Sequence, residues 1–277
     1  MTATQLDLPT GERKRSIRAI TTRRPILVLC LVAIGLTWSL QMGLVLAGED
    51  IFPGKIAELI LLTGTATLMA GLIGGRGGIR RLFAGLTRWR IGVTRWLLVL
   101  FAMPVVALGI AVVTGTLQAP AGGWGNVALA YFAFLLLIAI AGSIWEETAW
   151  AGFVQTRLIA RSGLLVGSVL TSVPFLLIHL PLAYEAEGWA ATSWQETFVA
   201  WGWLLAASPF FRYLAGMLLV DTRGSVLAVA LMHASFNATG TMSVLQPAGW
   251  QYVPALATLT VAVAGGRWFL RRRAART

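Results

Sequence analysis

The chain has little of what soluble proteins display and little of what most enzymes use. Of its 277 residues only 12% are charged, against 57% hydrophobic, and it has two histidines and one cysteine. A soluble globular domain carries about 25% charged residues, so this deficit points to a membrane rather than to an aqueous surface. The lone Cys30 excludes an internal disulfide and, lying inside an apolar run, reads as a small hydrophobe. The run Gly74-Gly75-Arg76-Gly77-Gly78 is not a phosphate loop, since no Lys-Ser/Thr follows and no strand precedes it. It reads as a flexible turn. Repeats of fixed period and Pro/Ser-rich linkers are absent, which favours one domain. The net charge of +11 speaks against nucleic acid once its distribution is seen. Arg and Lys fall in short loops and tails between apolar runs, so anionic lipid headgroups are the expected partner.

What is present is a series of apolar segments of about 20 residues, the length that crosses a bilayer as a helix. They run over Ile26–Ala47, Ile56–Ile73, Trp96–Thr116, Val127 towards Arg157, Leu164–Leu182, Thr197–Val220, Ser225–Leu245 and Val253–Leu270. The expected fold is an all-α, polytopic membrane bundle of about eight transmembrane helices. Residues 1–25 form a basic tail, 26–270 a single transmembrane domain, and 271–277 a second basic tail. The first apolar run exceeds the usual signal-peptide core, so it reads as an uncleaved anchor despite the small residues at Val45-Leu46-Ala47. Residues 76–95 carry six arginines around Trp89, and the stretch from Arg80 to Trp89 suits an interfacial helix. With both ends cytoplasmic, every Arg and Lys except Lys55 falls on the inner side, while Glu49, Asp50, Glu185, Glu187 and Glu196 lie in or beside outer loops.

Against this apolar background stands Ile144-Trp145-Glu146-Glu147-Thr148-Ala149-Trp150. An ionisable side chain at membrane depth costs roughly 2.5–3.5 kcal/mol on insertion scales, so such residues tend to be functional and need partners. The partners are few. His179 and His233 both lie in apolar segments, and Phe175/His179 and His233/Asn237 each stand at i and i+4, on one helix face. Three helices can therefore aim Glu146 or Glu147, His179, His233 and Asn237 at one point. Glu147, about 100° round the helix from Glu146, points elsewhere and is expected to orient a partner helix or the histidines. Arg212, the main remaining charge within a span, is free to snorkel towards the cytoplasmic side. Counting along the helices sets Glu146 slightly inside the midplane and His179 near the outer end of its segment. Bringing them together calls for a tilted fourth segment, an offset fifth, or unwinding near Pro174.

In these motifs the chain resembles the CAAX-protease and bacteriocin-processing (CPBP) intramembrane proteases, which include the type II CAAX prenyl endopeptidases. Their signature is Glu-Glu-x-x-x-Arg, then Phe-x-x-x-His, then His-x-x-x-Asn/Asp, on separate membrane helices. Here these read Glu146-Glu147-Thr148-Ala149-Trp150-Ala151, Phe175…His179 and His233…Asn237, within a core of about residues 126–243. Position 151 is Ala where the family usually has Arg, and Arg157, about two turns on, is not a geometric substitute. The resemblance implies an intramembrane endopeptidase acting on a membrane-associated peptide or protein. In that reading Glu146 activates a water as general base, His179 helps hold the water, and His233 and Asn237 stabilise the oxyanion. Low dielectric makes a carboxylate a better base, and each oxyanion donor is worth about 2.7–4 kcal/mol. No cofactor is implied. The residues alone leave zinc open, with His179, His233 and Glu146 or Glu147 as the ligand set. Two alternatives to an enzyme stand beside this reading. One is a non-catalytic scaffold or bacteriocin-immunity-type protein, favoured by Ala151. The other is a proton-relay transporter, disfavoured by the lack of a repeat pair.

Overall fold

The structure is a computed structural model that describes residues 21–120, 122–245 and 250–275. The basic tail therefore lies mostly outside the described residues, as do the last two positions of the chain. Every regular element among the described residues is helical. Eight helices organise the chain: α1 (Pro25–Ala47), α2 (Phe52–Phe83), α3 (Val93–Val113), α4 (Gly123–Ser162), α5 (Leu164–Ile178), α6 (Trp194–Asp221), α7 (Val226–Gly240) and α8 (Tyr252–Ala274). Among the described residues seven helical stretches are long and apolar enough to cross a membrane, α5 by continuing to Tyr184 as a 21-residue path. The remaining helix, α7, has 15 residues, about 22 Å at 1.5 Å per residue, which is short of a ~30 Å hydrocarbon core. The chain is thus an all-α, multi-pass membrane protein.

Lipid as solvent explains how these helices are patterned. Leu31, Ile60, Val105, Leu129 and Val261 point outward from the helices, each at least 62% exposed. In α1 the buried positions are Leu29, Ala33, Thr37, Gln41 and Val45. That is one stripe at a spacing of four, the row that a helix presents to a neighbour. Because lipid tails compete equally well for apolar side chains, polar contacts and close packing hold such helices together. Trp38 Nε1 donates to the Leu177 carbonyl at 2.9 Å, joining α1 to α5. Thr63 Oγ1 donates to the Trp145 carbonyl at 2.8 Å, joining α2 to α4 beside the glutamate pair. The Tyr131 and Ser235 hydroxyls meet at 2.8 Å between α4 and α7.

Two departures from regular helix set the geometry. The glycine run lies within α2, at a sharp break where Gly74 and Gly75 leave helical angles (φ 55°, ψ −150° at Gly75). The chain doubles back so tightly that a Cβ on Gly78 would sit 2.1 Å from the Ala70 carbonyl oxygen. Only glycine fits there. The expected interfacial segment follows, as helix to Phe83 and then a 3₁₀ stretch, Ala84–Thr87. The second departure is in α4, a 40-residue path of roughly 60 Å, far longer than a perpendicular span. It contains two π-type stretches, Ala139–Ser143 and Trp150–Gln155, which flank the regular turn Ile144–Ala149. Such wide turns are frequent at functional sites because they re-aim side chains without ending the helix.

The loops sort into two sets. Lys55 pairs with Glu185 at 2.7 Å, tying the first turn of α2 to the loop after α5. Arg88 donates to the Arg223 carbonyl and Arg267 pairs with Asp221, which gathers the arginine-bearing loops at another end. Glu196, expected beside a loop, closes a capping box with Ser193 at the start of α6.

Candidate active site

The short α7 is the most enclosed helix, buried along Val226, Val229, Ala230, His233, Ala234 and Ala238. It packs against α3, α4 and α6. This places His233 opposite the regular turn of α4 that carries both glutamates. The two carboxyls then separate, as expected for neighbours about 100° apart on a helix.

Glu147 is fully buried and turns towards α6. Arg212 grips it with two parallel bonds, Nη1 to Oε2 at 2.8 Å and Nη2 to Oε1 at 2.6 Å. This is the fork geometry in which arginine recognises a carboxylate most strongly. His233 Nδ1 donates to the same Oε1 at 2.9 Å. The expectation that Arg212 snorkels to the membrane surface is therefore corrected: its side chain is 0% exposed. The reason is electrostatic. A guanidinium that meets a buried carboxylate at this depth has no need of headgroups, and Glu147 would otherwise be an uncompensated charge. Phe175 completes the enclosure. Its ring lies 3.9 Å from the Arg212 guanidinium carbon, stacks on Phe211 at 5.6 Å and meets the His179 ring at 4.6 Å. Position 151, the small one in the first motif, is fully buried among Ala215, Leu219, Val226 and Val229, so α6 packs closely there, one turn from Arg212.

Glu146 faces the other way, into a cavity of about 580 Å³ that Lys55, Glu58, His179, His233 and Asn237 also line. Its Oε2 is buried and has no hydrogen-bond partner among the described residues. That oxygen lies 3.9 Å from His233 Nδ1. His179 stands immediately after α5, which runs through Pro174 without unwinding and ends at Ile178. The chain then turns into a 3₁₀ stretch, Leu180–Tyr184. Glu146 and His179 thus come within 4.8 Å of each other without a break at Pro174. His179 Nδ1 lies 2.7 Å from the Phe175 carbonyl. A carbonyl only accepts, so Nδ1 carries the proton, and in the neutral ring Nε2 presents its lone pair.

One residue of this cavity escaped the sequence reading. Glu58, on α2, is 4% exposed, and with Glu146 and His179 it offers three ligand atoms within 4.8 Å of one another. Two carboxylates and an imidazole are an acceptable donor set for a divalent ion. This trio is not the ligand set read from sequence, because Glu147 and the Nδ1 of His233 are committed to the Arg212 cluster. The signal for Glu58 was faint: a single acid one turn after Lys55, easily taken for an interfacial residue.

Of the residues expected in the site, the cavity thus gathers Glu146, His179, His233 and Asn237, while Glu147 is sealed behind them. Comparison with known proteins adds a family match. No curated protein matches the chain. Residues 126–239, which hold all three motifs, match the family described as type II CAAX prenyl endopeptidase Rce1-like, which bears out the resemblance read from the motifs and supports a CAAX-type intramembrane protease.

Proposed function

We propose that the protein is an intramembrane endopeptidase in which Glu146 activates the hydrolytic water and Glu147 is structural. The observation that carries this reading is the partnerless Glu146 oxygen in a cavity shared with His179, His233 and Asn237. Glu146 takes a proton from a water that His179 Nε2 holds by accepting its second hydrogen. The water oxygen bonds to the scissile carbonyl carbon, and negative charge moves onto the carbonyl oxygen. His233 and Asn237, one turn apart on α7, meet that charge. His233 already donates through Nδ1 to Glu147, so donating through Nε2 as well makes the ring a cation, which the Glu147 carboxylate stabilises. The C–N bond then breaks and the nitrogen takes up a proton. Arg212 is a positioning residue here. It stands in for the arginine absent at position 151, so Ala151 does not argue for a non-catalytic scaffold.

The substrate is a membrane-associated peptide or protein that reaches the cavity within the bilayer. We read both termini as cytoplasmic, on the face where the arginine-bearing loops gather, and residues 26–270 as one domain. The test is cleavage of a peptide library that includes farnesylated CAAX peptides by purified protein in detergent. Wild type is compared with Glu146→Gln, each with and without a chelator. Loss of cleavage on substitution but not on chelation is the expected result. Loss on chelation as well would put an ion on Glu58, Glu146 and His179. Unchanged cleavage by Glu146→Gln would overturn the assignment.

A further inference from the structure

The catalytic scheme leaves one proton unassigned, the one that the leaving nitrogen must receive. The cavity contains a carboxyl group placed to supply it, and the placement is built from three residues outside the matched segment. Glu58 lies on the inner face of α2, and its Oε2 accepts a 2.9 Å hydrogen bond from Gln41 Nε2 on α1. Gln41 is itself fully buried. Its position depends on Gly54, where a Cβ would sit 2.7 Å from Gln41 Cγ. A fully buried amide held by a glycine contact and donating to a buried carboxyl is costly to build into a membrane helix pair unless the carboxyl has work to do.

The groups facing Glu58 define that work. From α4 comes Glu146, with an oxygen within 4.8 Å, and from the end of α5 comes His179, within the same distance. His233 lines the same cavity from α7. Lys55, one turn back on α2, is engaged by Glu185, and α1 offers only the neutral Gln41. Two carboxylates this close in a low-dielectric cavity repel unless a proton lies between them, as in carboxyl dyads generally. A separation under 4.8 Å is also the span that one bridging water covers.

We propose that Glu58 is a further catalytic residue: it shares one proton with Glu146 through a bridging water and delivers it to the leaving nitrogen. This rests on the protease reading above. The step balances. Glu146 removes a proton from the water as the O–C bond forms, and Glu58 gives its proton to nitrogen as the C–N bond breaks. The proton on Glu146 then passes back along the water bridge to Glu58, restoring the starting state. Hydrolysis adds one water to the peptide bond, with no other co-reactant.

The experiment has a readout that needs no substrate. Infrared difference spectra of the full chain in detergent, titrated with acid and base, report the C=O stretch of a protonated buried carboxyl. Wild type should show such a band. Glu58→Gln should abolish it, Glu146→Gln should shift its frequency by removing the partner carboxylate, and Gln41→Leu should shift it while leaving the protein folded. Kinetics on any cleaved library peptide form the second arm. Glu58→Gln should lower kcat about a hundredfold or more with little change in KM, and should remove the decline of rate at high pH that marks a required acid. Glu58→Asp should recover part of the rate. The proposal is overturned if no carboxyl band responds to either substitution, or if Glu58→Gln cleaves at the wild-type rate with an unchanged pH profile. It is equally overturned if the wild-type rate disappears with a chelator, which would make Glu58 an ion ligand. A wild type that shows the shared-proton band yet cleaves nothing would sink the protease reading and leave the proton pair standing.

Discussion

Glu146 and Glu147 are adjacent in sequence and occupy opposite environments. Glu147 is sealed between α4, α6 and α7, with two bonds from Arg212 and one from His233. Glu146 opens on a cavity with an oxygen that no group among the described residues satisfies. The sealed side gives each Glu147 oxygen a fixed partner, which is how a buried charge becomes a tie between helices. The open side has titratable neighbours and room, which is how a buried charge becomes a reagent. One turn of helix between two wide π-type turns is enough to divide the two roles.

This contrast can be broken from either side. Glu146→Gln should lower cleavage by about 10²–10⁴-fold, the range of a lost general base, with an unchanged melting profile in detergent. Arg212→Met should instead cost stability, about 3–5 kcal/mol, because removing one partner leaves an uncompensated buried carboxylate. Replacing both partners, as Glu147→Leu with Arg212→Met, should recover much of that stability in reversible detergent-denaturation measurements but not the activity, since His233 loses its acceptor. Gly54→Ala should act only on the open side. It displaces Gln41 and costs about 1–3 kcal/mol as an overpacking change, with a rate loss smaller than that of Glu58→Gln. Lys55→Ala should do least. Its ion pair with Glu185 is partly exposed, at 36% and 46%, and pairs of this kind contribute about 0–1 kcal/mol, so its melting curve should nearly overlay the wild type.

The membrane fold was open to reading from sequence because lipid demands long apolar helices with few charges, and that pattern survives without knowledge of packing. The three motifs were equally legible, since i, i+4 spacing puts Phe175 with His179 and His233 with Asn237 whatever the tertiary structure. What spacing does not carry is the direction in which a helix face points. Arg212 therefore looked like a snorkelling residue, although α6 turns it inward onto Glu147. Glu58 and Gln41 looked like ordinary residues of an outer helix pair, because nothing local in α1 or α2 signals that α2 packs on the glutamate-bearing turn of α4. The wide turns in α4 left no mark in composition either.

The most direct test of the division is to measure cleavage and thermal stability together for Glu146→Gln and Glu147→Gln. The account predicts that Glu146→Gln abolishes cleavage at wild-type stability. Glu147→Gln should melt well below wild type as the Arg212 clamp is lost, and its folded fraction should retain reduced cleavage, since an amide no longer stabilises the His233 cation. If Glu147→Gln is as stable as wild type and inactive while Glu146→Gln still cleaves, the roles of the two glutamates are reversed and the account is wrong.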